Sequence, residues 1–265
     1  MRFHIVKRDA CPLWKRLAFY AGAVVIALIL GAIVLMAIGV DPVDYYWRMC
    51  TMGMVGNRIA YRVFENYLKE FVPLVITAVA LSLAFRMRFW NIGGEGQFIL
   101  GAIAAAAVAF QAGPVLPEPI TLILMCLAAM LAAGLYGVLA AALKVKFGTN
   151  ETLLTLMLNY VALYFLTFLA ETKAGWNFFL DPTSARPIFA NFSDLAEFPG
   201  IPIGPFRLNI CVILAFVIGA LVFFYLKYTK HGYEIAVVGD SVGTARYAGM
   251  KVSRIVLRTV FLSAC

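Results

Sequence analysis

Asn91, Glu95 and Gln97 stand within seven residues of one another in FRMRFWNIGGEGQFILG (85–101), a stretch joining two long apolar runs. Carboxylates and amides at membrane depth are costly, so they face a bundle interior or a wet pathway. Gly93, Gly94, Gly96 and Gly101 interleave with them, letting backbone bend and neighbouring helices approach closely. A second set, Glu151, Thr155 and Asn159, falls at i, i+4 and i+8 and so shares one helix face. Tyr160 lies beside that stripe. The chemistry these groups offer is hydrogen bonding to a hydroxyl-rich or heterocyclic solute, not bond breaking. The competing reading is that they bond only to neighbouring helices. Asn91 is expected to cap the helix opening at Gly93–Gly94, and Glu151 also suits a helix start through the dipole.

Positioning such groups requires membrane spans, and the composition supplies them. Of 265 residues, 63% are hydrophobic and 14% charged, against roughly 25% charged in soluble domains. Apolar runs are read at 17–40, 71–85, 92–111, 120–143, 152–170 and 209–226, with a seventh opening near 255. The run 71–85 is short for a span, so it either borrows residues 66–70 or crosses as a broken element with 86–101. The fold class expected is an all-α polytopic bundle forming a single domain over 1–265.

The net charge of +8 is orientation information rather than a nucleic-acid signal. With the N-terminus inside, only Arg48, Arg58, Arg62, Lys69, Lys173, Arg186 and Arg207 of the 22 basic residues fall in outward segments. That asymmetry follows the positive-inside rule. The first apolar run is too long for a signal-peptide core. The five cysteines place only Cys50 in an outer loop, so no disulfide framework is expected. No Cys/His spacing indicates a metal, and no cofactor is expected.

The outer loop 41–70 carries Tyr45, Tyr46, Trp47, Tyr61, Phe64 and Tyr67. Ile59, Val63, Phe64 and Tyr67 recur at helical spacing, which predicts an amphipathic helix lying at the interface. The loop 171–208 carries Pro182, Pro187, Pro199, Pro202 and Pro205, which favour an extended, ordered cap over a long helix. On the inner side, GYEIAVVGDSVGTARYAGM (232–250) predicts a two-turn helix over 241–248, capped by Asp240 and stopped by Gly249. NIGGEGQ lacks the lysine and hydroxyl of a phosphate loop. His4 and His231 have no nucleophile beside them, so no enzyme is expected.

Three segments carry a family resemblance: FRMRFWNIGGEGQFILGA (85–102), NETLLTLMLNYVALY (150–164) and GYEIAVVGDSVGTARYAGM (232–250). In this order they resemble the permease subunits of bacterial ABC importers, in the nucleoside group related to simple-sugar and branched-chain amino acid permeases. The resemblance implies a multi-pass protein of the bacterial plasma membrane with a cytoplasmic N-terminus. It implies ATP-binding cassette subunits, a second permease subunit and an extracytoplasmic binding protein or lipoprotein as partners. It places Gly239, Asp240, Ala245, Arg246, Ala248 and Gly249 in a coupling segment facing the ATPase. Asn91, Glu95, Gln97, Glu151, Thr155 and Asn159 are the candidate substrate pathway. Simple sugars are the alternative solute, and a proton-coupled carrier using Glu95 or Glu151 is the alternative class. Such permeases continue for several helices beyond the seventh, so the chain reads as C-terminally truncated relative to the family.

Overall fold

The computed structural model describes residues 12–51, 59–192, 198–204 and 206–265. The basic N-terminal residues Arg2, Lys7 and Arg8, with His4 and Cys11, lie outside the described residues, as do Arg58 and Pro205. Helices dominate: α1 (Leu13–Ala37), α2 (Pro42–Cys50), α3 (Ala60–Arg86), α4 (Gly94–Ala112), α5 (Glu118–Phe147) and α6 (Glu151–Glu171) precede a hairpin. The hairpin pairs β1 (Gly200–Ile203) with β2 (Phe206–Asn209), antiparallel. Then come α7 (Ile210–Tyr228), α8 (Lys230–Asp240), α9 (Val242–Tyr247) and α10 (Val252–Ala264). Among the described residues, six helices are long and apolar enough to cross a membrane: α1, α3, α4, α5, α6 and α7. The chain is an all-α polytopic protein.

Contacts divide the chain into two units, 1–64 and 65–265. In the first, α1 buries no residue within the chain. Asp41 caps α2 by accepting from the Val43 N–H at 2.8 Å, and Tyr46 donates to the Leu28 carbonyl at 2.8 Å.

One expectation changes here and one is settled: residues 60–70 do not form a separate interfacial helix, and 71–85 does borrow residues 66–70 rather than crossing as a broken element with 86–101. Residues 60–70 and 71–85 both belong to the single 27-residue helix α3, with Pro73 inside it. Proline within a helix removes one backbone bond and is tolerated in spanning helices. The amphipathic stretch and the apolar run are thus halves of one element.

In the second unit α5 is the central helix. It packs against α4, α6 and α10 through the small residues Ala133, Gly134, Gly137, Ala140 and Ala141. A methyl group added at Gly137 would stand 2.5 Å from Ala264 Cβ, and one at Gly134 would stand 2.6 Å from Phe261 Cε2. Helix association in lipid rests on such close approach, because apolar burial offers no net drive there. The buried core gathers at one end of the unit, where Ala84, Met87, Phe89, Ala141, Ile235, Val238, Ala245, Ile255 and Val260 meet. At the other end the described part of the proline-rich segment holds the hairpin and a Leu180–Phe189 bridge.

Candidate functional site: a hydrogen-bonded knot between α4 and α6

The turn 87–93 between α3 and α4 leaves backbone donors at the start of α4 without helical partners. Side chains of α6 supply the acceptors. Thr155 Oγ1 accepts from the Ile92 N–H at 3.2 Å, and Asn159 Oδ1 accepts from the Gly96 N–H at 2.8 Å. Asn159 Nδ2 donates back to the Ile92 carbonyl at 2.8 Å. Gly96 is needed for this approach, since a Cβ there would lie 3.0 Å from the Asn159 Cα.

Asn91, fully buried, is not the N-cap of α4. That position is Gly93, and α4 begins at Gly94. Instead Asn91 Oδ1 accepts from the Gly93 N–H at 3.0 Å, and Asn91 and Gln97 exchange two amide bonds of 3.2 Å. Neutral amides satisfy both donor and acceptor at once, which suits an enclosed site. Asn91, Gln97, Thr155 and Asn159 therefore form one buried knot.

Glu95 and Glu151 do not join it. Glu95 is exposed on the other side of α4. Glu151 pairs with Lys144 of α5, whose ammonium also lies 5.0 Å from the centre of the Phe89 ring. Asn150 caps α6, its Oδ1 accepting from the Thr152 and Leu153 N–H groups. Tyr136, which the sequence did not single out, donates from α5 to the Leu158 carbonyl at 2.8 Å. Gln97 is the member of the knot that reaches free space. It lines a cavity of about 320 Å³ bounded by α3, α4, α5 and α10, which also receives Thr77 and Ser263.

The segment 232–250 differs from its expected form. Asp240 is the last residue of α8, and Ser241 is the cap of α9, its Oγ accepting from the Thr244 N–H at 3.2 Å. The helix is thus 242–247, with Ala248 at its end and Gly249 in the left-handed region at φ 75°. Ala245 is 0% exposed and sits in the chain's own core, so its methyl cannot serve as partner surface. Gly239 is also internal: a Cβ there would overlap the Arg86 carbonyl oxygen. The exposed face of α9 is made by Val242, Gly243, Thr244, Arg246 and Tyr247, the last 96% exposed.

Two ties hold α8 and α9 to the bundle. The first is the Gly239–Arg86 approach. The second is Glu234, which accepts from Arg258 Nη2 of α10 at 2.9 Å. That bond holds the Glu234 carboxyl below the usual range.

Residues 63–265 match the family described as the branched-chain amino acid transport system permease component. Curated relatives agree. The nucleoside ABC transporter permease of Lactococcus lactis is 29% identical over 91% of this chain and 65% of its own length. The glucose ABC transporter permease of Haloferax volcanii is 33% identical over 92% of this chain and 63% of its own. The guanosine ABC transporter permease of Bacillus subtilis is 26% identical over 91% and 66%. The chain thus spans slightly under two thirds of the length of these relatives. No solved structure matches it. With a match over most of its length and six span-capable helices, the chain belongs to the branched-chain amino acid transport system permease family.

Proposed function

We propose that the chain is membrane-spanning permease sequence of an ATP-driven ABC importer for nucleosides. The observation that carries the reading is the family match over 63–265 together with two relatives named for nucleoside and guanosine transport. Separate ATP-binding cassette subunits would bind at α9, a second permease subunit would complete the pathway, and an extracytoplasmic binding protein would deliver solute. Gln97 would meet the solute from the wall of the cavity, while Asn91, Thr155 and Asn159 hold the α4 entrance in shape. The Gln97 amide at that wall suits the hydroxyls and ring nitrogens of a nucleoside, because one amide offers donor and acceptor together. Gly239, Asp240, Ala245, Ala248 and Gly249 would then form the frame of the coupling segment, and Arg246 part of its contact face.

Simple sugars are the second reading, favoured by the glucose permease relative at 33% identity. The test is uptake of radiolabelled guanosine and of glucose by the whole importer in proteoliposomes loaded with ATP. Guanosine uptake that unlabelled nucleosides suppress, and glucose does not, supports the first reading. The opposite pattern of uptake and suppression selects the second. Uptake of either solute without ATP defeats both.

A further inference from the structure

The chain leaves α3 through a turn in which the Phe89 N–H bonds the Ala84 carbonyl at 3.1 Å and the Arg88 N–H bonds the Phe85 carbonyl at 2.9 Å. This is the Schellman arrangement, whose left-handed residue is ordinarily glycine. Here it is Arg88, at φ 57°, the only non-glycine residue with positive φ among those described. A side chain kept where glycine would relax the backbone points to a use for that side chain.

Arg88 lines a groove of about 470 Å³ between this turn, the end of α5, the α8–α9 corner and the start of α10. Lys144, Asp240, Ser241 and Arg246 share its walls. Lys144 is engaged by Glu151. Arg88 and Arg246 have no ion-pair partner among the described residues, and Asp240 is the single acid lining the groove. The groove therefore offers two uncommitted guanidiniums. Guanidinium groups bind carboxylates through paired, directional hydrogen bonds.

We propose that this groove is an anion-binding dock for an acidic side chain of the ATP-hydrolysing subunit, gripped by Arg88 and Arg246. The proposal rests on the reading of α9 as the ATPase contact. It adds a residue, Arg88, that lies more than 150 positions from α9 in the chain. Continuity favours this occupant over a lipid headgroup. Val242 and Arg246 belong to α9 and also line the groove, so a protein seated on the exposed face of α9 covers the mouth of the groove.

Arg88→Gly provides a test in which folding is not at risk, because glycine is the residue that this backbone position prefers. In the whole permease, Arg88→Gly is expected to weaken association with the ATPase subunit by about tenfold at low salt, with unchanged or raised thermal stability. The deficit should narrow as salt rises, and Arg88→Lys should recover part of the affinity. Parental affinity in Arg88→Gly overturns the dock. If Tyr247→Asp loses the ATPase while Arg88→Gly keeps it, only the dock fails. If both keep it, the reading of α9 fails as well. If Arg88→Gly keeps the ATPase yet loses binding of phosphatidylglycerol vesicles, the groove serves lipid and the proposal is wrong.

Discussion

Replacing Asn159 by leucine preserves side-chain bulk and removes both bonds that join α6 to the entrance of α4. The Gly96 N–H loses its acceptor and the Ile92 carbonyl its donor, each previously at 2.8 Å. The lower limit of the cost is two interhelical bonds at about 0.6 kcal/mol each, the average seen in membrane bundles. The upper limit is two orphaned buried groups at up to about 3 kcal/mol each. Gly96 decides between them. A methyl group there would already stand 2.9 Å from Asn159 Oδ1 and 3.0 Å from its Cα, so the gap admits no water to replace the amide. The expected loss is therefore roughly 2–5 kcal/mol, toward the orphaned-group limit. Thermal unfolding of the purified permease in detergent measures it, with Tyr160→Leu on the exposed side of the same turn as control. Equal stability in the two variants would refute the claim that the knot holds α4 to α6.

Gly239→Ala should destabilise by about 1–3 kcal/mol, because its methyl meets backbone at Arg86, whereas Gly243→Ala has ordinary room and should be neutral in the same unfolding assay. Ala245→Trp should prevent folding rather than merely uncouple a partner, since the site is fully buried; a low yield of monodisperse protein is the readout. Ser241→Ala should cost about 1 kcal/mol of α9 stability, and Asp240→Ala should not, by hydrogen exchange over 242–247. The Glu234–Arg258 tie stabilises fully above the ordinary carboxylate range, because the folded carboxyl is depressed. The stability gap between the parent and Glu234→Gln should therefore hold from neutral pH down to about 4.5 and close only below it. A cysteine at Ser184 should react with an impermeant reagent outside intact cells, and one at Ser241 should not, in a background lacking native cysteines; the reverse labelling inverts the topology.

Helix phase accounts for much of what was legible in the sequence. The i, i+4 spacing of Thr155 and Asn159 put both on one face of α6, and the structure uses both against the same turn. Glu95 and Gln97 are two residues apart, about 200° around the axis, so one is buried and the other exposed. That angle keeps them from forming one cluster. The short helix expected over 241–248 lies at 242–247, because Asp240 and Ser241 are both good caps and the choice depends on how far α8 runs before the chain turns. Gly134 and Gly137 carry no such signal, because glycine inside an apolar run looks like any other apolar residue. Their meaning appears only once α10 lies on them. Arg88 carried no local signal at all: its left-handed backbone follows from where α3 stops.

The glycine-lined stripe of α5 also bears on how the protein is made. More than a hundred residues separate the end of α5 from the start of α10. At about 5–20 residues per second, α5 precedes α10 out of the ribosome by roughly 5–20 s. Throughout that interval Gly134 and Gly137 lack the Phe261 and Ala264 side chains that cover them in the folded chain, while the Gln97 amide already stands beside Gly137. Seating α10 is thus a late step in biogenesis, and it is the event that closes the wall of the cavity beside Gln97.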